Sequence, residues 1–228
     1  MQNSYKRVDA HLSSLGYCTR SEAKKFLSKN VVSINGVRVF DVREKAHHSD
    51  ITVDGERLDD ETLVLLMHKP SGVVCSHSDG GVLIYSLLPQ RWQRRNPKIA
   101  TIGRLDADTT GAILLTDDGA LNHKLTSPKS DVAKLYEATL AQPLRGDEAE
   151  IFASSTLMLH GEKKPLLPAK LEVISESVAR LEICEGRYHQ VKRMFGAVGN
   201  RVVALHRVRF GEFSVEDLKA GEYKTLSL

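Results

Sequence analysis

The sequence predicts an α+β protein of two unequal domains: a small N-terminal module at residues 1–59 and a larger domain at 60–228 around a mixed, mainly antiparallel sheet. Three observations carry this. Short runs of alternating apolar and polar residues recur at 134–140, 169–174, 180–184 and 202–209, with only a few helical patterns between them. Two short helical patterns and two tight-turn signals are packed into the first 58 residues. Finally, the polar patch Asp59-Asp60-Glu61-Thr62 interrupts the pattern as a domain boundary does, and 228 residues suffice for a small module joined to a larger domain.

In the N-terminal module, Val8, Leu12 and Leu15 recur at helical spacing and Gly16 supplies the stop. Thr19 and Glu22 make a capping box for a second helix that buries Ala23, Phe26 and Leu27 and turns Arg20, Lys24, Lys25 and Lys29 to solvent. Val32-Ser33-Ile34, Asn35-Gly36 and Val37-Arg38-Val39 predict a hairpin, because Asn and Gly tolerate the positive φ of a type I′ turn. A second strand pair is expected to turn at Asp54-Gly55. Two helices followed by a small sheet, with one basic helix face, resemble the alpha-L or S-four-type RNA-binding module over residues 5–58. Arg7, Arg20, Lys24, Lys25, Lys29 and Arg38 are its candidate phosphate contacts. The plainer alternative is a small domain whose basic residues only aid solubility.

The larger domain opens with an apolar strand at 63–68 running into Lys69-Pro70-Ser71-Gly72 and then Val73-Val74-Cys75-Ser76, a tight strand-turn-strand unit with Lys69 at its edge in reach of a phosphate. Residues 102–119 place a loop dense in Asp, Thr and Gly between two apolar strand-like pieces, the setting in which catalytic groups usually lie. Asp106, Asp108, Thr110, Gly111 and Asp117 fall near the ligand positions of a calcium loop. However, Thr110 and Asp117 depart from that pattern and a strand, not a helix, is expected at 113–115. The remaining readings are a turn in which Asp and Thr cap backbone groups, and a site in which one Asp is a nucleophile or base with Arg104 beside it for substrate. Further on, Val191, Met194, Phe195 and Val198 form the buried stripe of a helix stopped by Gly199-Asn200, leaving His189, Lys192 and Arg193 to point elsewhere.

Charge distribution says more than the net +3. Residues 1–45 hold nine Lys or Arg against four Asp or Glu. Residues 91–98 carry four basic groups and Trp92, and residues 186–209 carry six basic groups and no acid. Such stretches suit a polyanion, and nucleic acid is the natural partner. Composition, 41% apolar and 27% charged, is that of a soluble globular chain. No apolar run approaches the roughly 20 residues of a spanning helix and the polar start MQNSYKR lacks a signal peptide's apolar stretch, so a cytoplasmic protein without a membrane role is expected. Cys18, Cys75 and Cys184 form no CxxC pair; buried free thiols are expected rather than disulfides or a zinc site.

Four motifs taken together, HKPSGVVCS, GRLDADTTGAILLTDDG, Lys134-Leu135-Tyr136 and EGRYHQVKRMF, resemble those of the pseudouridine synthases. The likeness is strongest to the RsuA-type subfamily, which joins an S-four-type module to a catalytic domain and acts on small-subunit (16S) ribosomal RNA. It spans essentially the whole chain. The resemblance implies that Asp106 is the indispensable catalytic group, that Tyr136 stacks on the target base, and that Lys192, where many relatives carry Arg, pairs with Asp106. It places Ile183 against the base and the Tyr ring. Substrate roles are expected for Arg104, Lys69, Arg187, His189, Gln190 and Arg193.

The chemistry agrees. Moving uracil from an N1 to a C5 linkage exchanges no electrons or atoms overall, so neither cofactor nor metal is expected, and the chain has no dinucleotide or phosphate-binding Gly-rich loop. What the reaction does need is an ionised carboxylate at the ribose, as nucleophile on C1′ or base at the 2′ position, and a surface on which an everted base can stack. The expected partner is ribosomal RNA, 16S in preference, free or in a small-subunit assembly intermediate, acted on by a monomer. The rival reading is a non-catalytic ribosome-associated RNA-binding or assembly factor.

Overall fold

The protein is described from a computed structural model covering residues 4–127 and 131–227. The chain divides into two compact units. The first comprises residues 1–64, 85–100 and 116–118; the second comprises 65–84, 101–115 and 119–228. The N-terminal unit is therefore not the continuous segment 1–59 that the polar patch suggests.

Its helices are Val8–Ser14 and Ala23–Lys29, and its four-stranded sheet takes Val37–Arg38, Val32–Ile34, Ile51–Val53 and Glu56–Arg57 in that spatial order. Asn35 and Gly36 have φ of 50° and 80°, and Asp54 and Gly55 of 52° and 86°, so both expected turns form with their positive-φ residues in place. The capping box also closes. Thr19 Oγ1 accepts the Glu22 N–H at 3.3 Å and the Glu22 carboxylate accepts the Thr19 N–H at 3.1 Å, although regular helix starts only at Ala23. Val8, Leu12, Leu15, Ala23, Leu27, Val32 and Ile51 fill the core, with Phe26 half-buried at its edge. Arg20, Lys24, Lys25 and Lys29 are all exposed.

Two buried arrangements tie the later segments to this unit. Arg95, wholly buried, donates to Asp117 at 2.6 Å and to the carbonyls of Asp60 and Glu61, while the other Asp117 oxygen accepts the Leu63 N–H. Arg91 and Trp92 both donate to Asp59, and Arg91 lies over the Tyr17 ring. The run at 91–98 thus spends two of its cations and its Trp inside the fold. Gly16 matters here for space: a Cβ would collide with the Arg91 carbonyl, and its φ of 81° favours Gly in any case.

The second unit is α+β, as expected. Its nine-stranded sheet runs Lys170–Ser175, Val178–Ile183, Lys134–Leu140, Val202–Phe210, Thr110–Thr116, Val64–Lys69, Tyr223–Thr225, with Ala100–Ile102 beside Thr110–Thr116 and Phe213–Ser214 beside Val202–Phe210. Thr110–Thr116 and Val202–Phe210 pair in parallel, and the outer pairs on either side are antiparallel. Gly111 allows the parallel pair to approach, since any Cβ there would strike the Arg207 backbone. Val73–Val74 does not return along Val64–Lys69 as a hairpin. It pairs in parallel with Val82–Leu83, because the Pro70–Gly72 turn, with Gly72 at φ 80°, sends the chain off the sheet.

The helix Gln190–Ala197 buries Val191, Met194 and Phe195, with Val198 buried at its C-terminal cap, which completes the expected stripe; Phe195 meets Phe152 edge to face with centroids 5.3 Å apart. Cys75 is buried, Cys18 and Cys184 are half-buried, and all three are free thiols. Among the described residues no helix is long and apolar enough to cross a membrane.

Candidate active site

The central strands and the loops above them enclose a pocket of about 920 Å³ in the second unit. Strand periodicity builds its floor. Tyr136 faces Leu181 on one neighbouring strand and Arg207 on the other, and Lys134 faces Ile183. A register shift between Leu135 and Tyr136 takes up one residue of the Val202–Phe210 strand, so that Leu205, Arg207 and Phe210 all line the pocket. Tyr136 is 8% exposed and its hydroxyl accepts a bond from Arg207 Nη1 at 3.3 Å, while Arg207 Nε donates to the Ala112 carbonyl at 2.6 Å.

The loop 103–109 forms one wall and carries Asp106. Here the structure corrects the expectation for Lys69. Its side chain does not reach out to a phosphate; it is 0% exposed, and its ammonium donates to the carbonyls of Pro70, Ala107 and Thr109 at 3.0, 3.1 and 2.8 Å. Burial pushes its pKa down from the usual lysine value. The Ala107 carbonyl also accepts the Gly72 N–H, and the Thr109 N–H donates to the Asp106 carbonyl. Lys69 therefore fastens the backbone on the C-terminal side of Asp106.

The opposite wall is the turn and helix at 183–192. One Asp106 oxygen lies 3.1 Å from Lys192 Nζ and the other 3.1 Å from His189 Nε2, with the carboxylate 30% exposed. Lys192 also holds both oxygens of Asp108, at 2.7 and 2.9 Å. Burial disfavours the Lys192 charge, but its bonds to Asp108 and Asp106 outweigh this and raise its pKa; the Lys192 bond lowers that of Asp108. His189 has φ 47° and ψ 36°, a left-handed conformation at the start of the helix.

The other expected site residues divide. Arg104 and Ile183 line the pocket, Arg104 exposed and Ile183 buried against the floor. Arg187 and Gln190 also line it, but their polar groups are engaged within the protein. Arg187 donates to Glu185, Glu162 and the carbonyls of Lys164 and Pro165, and Gln190 bonds Glu185 and the Arg187 N–H. Arg193 lies outside the pocket lining, bound to Glu162 and the carbonyls of Tyr188 and His160, so the substrate role expected of it gives way to a structural one. Sequence reading weighed Asp108 only as a calcium-loop position, not as a partner of Lys192, and Arg207 only as charge; strand register was the signal that joins Arg207 to Tyr136. Among the described residues no group of three or more His, Cys, Asp or Glu is placed to hold a metal ion.

In fold and pocket this is the catalytic domain of an RNA-modifying isomerase, and comparison with known proteins agrees. Residues 63–197 match the RNA pseudouridylate synthase family. The chain is 42% identical to the ribosomal small subunit pseudouridine synthase A of Pasteurella multocida and 41% identical to that of Escherichia coli, in each case over 97% of this chain and 96% of the relative. A crystal structure of a pseudouridylate synthase, 40% identical, superposes with a TM-score of 0.69 over 97% of this chain and 96% of that one. The protein belongs to the RNA pseudouridylate synthase family.

Proposed function

We propose that the protein converts a uridine of small-subunit (16S) ribosomal RNA to pseudouridine with Asp106 as the reacting carboxylate. The observation that carries the reading is the position of Asp106: partly open in a concave pocket, held by Lys192 and His189 at 3.1 Å each, with Tyr136 in the pocket floor. The relatives named for the small ribosomal subunit support the choice of RNA.

In this reading the target nucleotide leaves its stack and its base settles against Tyr136 and Ile183. Asp106 then acts at the ribose, on C1′ as nucleophile or at the 2′ proton as base. The C1′–N1 bond breaks with its electron pair going to uracil; the ring turns, C5 joins C1′, the C5 proton leaves and N1 gains one, so atoms and electrons balance. Lys192 supplies positive charge beside the carboxylate as the ribose approaches. Asp108 keeps that ammonium placed from its far side.

The N-terminal unit acts as an S-four-type RNA-binding module in this proposal, its exposed Arg20, Lys24, Lys25 and Lys29 lying along phosphates. Arg38 stands exposed over the Phe40 ring, 5.4 Å from its centroid, while Arg7 pairs with Asp9 at 2.6 Å. The test is to incubate purified protein with unmodified small-subunit RNA, both free and protein-bound, and to map pseudouridine chemically. One new site in that RNA is expected; no modification in either form overturns the proposal.

A further inference from the structure

We propose that Tyr188 is a stacking platform for an unpaired nucleobase flanking the target uridine. This rests on the reading of the pocket as the site of uridine isomerisation. Tyr188 is 74% exposed yet lines the same pocket as Asp106. One face of its ring is covered by the His189 ring, with centroids 3.8 Å apart and planes 20° apart, and His189 is the residue whose Nε2 meets Asp106.

Its backbone is fixed on both sides. The preceding Arg187 is bound through Glu185, Glu162 and two carbonyls; the Tyr188 carbonyl accepts Arg193 Nη1 at 3.0 Å; and the following His189 reaches Asp106. An aromatic ring held in place, backed by a second ring and open to solvent at the mouth of a pocket, has the form of half a base stack. Such a platform accepts any base, because every base has a π-face. The pocket's 920 Å³ lies at the upper end of the range for small-ligand sites, roughly 300–1,000 Å³, which leaves room for more than the target base. Arg104 also lines the pocket; its side chain is 72% exposed and its ion pair to the exposed Asp79 is long at 4.0 Å, so it can turn to the phosphate of the stacked nucleotide. Tyr136 cannot serve this second base, being 8% exposed in the floor.

Because the Tyr188 ring is exposed, replacing it leaves the core intact, and the test uses the full-length protein. KM and kcat are measured for native protein, Tyr188→Ala and Tyr188→Phe on the unmodified substrate RNA and on versions of it abasic at each nucleotide flanking the target. Tyr188→Ala is expected to raise KM roughly 5- to 150-fold, the range of one base–aromatic stack, with kcat nearly unchanged and Tyr188→Phe close to native. One abasic flank should weaken native protein by a similar factor and leave Tyr188→Ala little affected. Affinity read by fluorescence anisotropy in an Asp106→Asn background, where no turnover is needed, should follow the same pattern; this separates the stacking role from the assignment of Asp106. An unchanged KM in Tyr188→Ala, or equal sensitivity to abasic flanks with and without the ring, overturns the proposal.

Discussion

Replacing Lys69 with Met keeps much of the side chain's volume and removes its charge and three donors. Those donors serve the carbonyls of Pro70, Ala107 and Thr109 at 2.8–3.1 Å in a site that is 0% exposed. Hydrogen bonds from a charged group contribute about 1.5–3 kcal/mol each net of desolvation. The three here share one buried ammonium, whose charge the Met variant need not bury, so together they contribute well short of three times that. The balance is a loss of about 2–4 kcal/mol, measurable as a lower urea midpoint with an unchanged m-value. Function should suffer further, because two of those carbonyls lie one and three residues after Asp106. A displacement of about 1 Å can cost on the order of 100-fold in rate, so kcat should fall 10- to 100-fold while RNA affinity holds. A Lys69→Met protein with native midpoint and native kcat would refute the claim that this lysine fastens the loop.

Phe195→Ala should destabilise the protein by about 3–5 kcal/mol, since Phe195 is wholly buried and packs edge to face on Phe152; thermal or urea unfolding checks this. His206 is held neutral by burial and by His68, and His11 by burial, so their folded pKa values lie below the ordinary 6.5. Unfolding therefore takes up protons, and their contribution, full above about pH 6.5, should fade as pH drops below it; melts at pH 7.5 and 5.5 read this, and His206→Asn should reduce the difference. Changing Lys24, Lys25 and Lys29 together to Gln should weaken RNA binding and flatten its salt dependence by about 2–3 in the log–log slope, with the melting temperature unchanged; equal slopes would remove this face from RNA binding.

Local chemistry was the most legible part of the chain. The turns at Asn35-Gly36 and Asp54-Gly55, the Thr19–Glu22 box and the stripe from Val191 to Val198 are fixed within a few residues, and each appears where the sequence places it. Long-range pairing of charge was not legible. The stretch at 186–209 contains no acid, yet Arg187 and Arg193 meet Glu162, Arg209 meets Glu182, and Arg207 is 2% exposed beneath Tyr136. Counting charges along the chain cannot see the acids and carbonyls that the fold brings across, and for this reason Arg193, held by Glu162, and Lys69, held by the carbonyls of Pro70, Ala107 and Thr109, read as substrate contacts.

The same limit moved the domain boundary, because Arg95 and Asp117, 22 residues apart and both buried, bind residues 85–100 and 116–118 into the N-terminal unit. The pairing of Asp106 with Lys192 came from family resemblance, since the residues lie far apart in sequence. Its sharing with His189 and Asp108 emerged only in three dimensions.

The most direct measurement replaces the Asp106 carboxylate with the near-isosteric amide and compares single-turnover pseudouridine formation with RNA binding in the same preparation. Asp106→Asn should bind small-subunit RNA about as tightly as native protein and form no detectable pseudouridine. Turnover near the native rate would mean that the chemistry lies elsewhere.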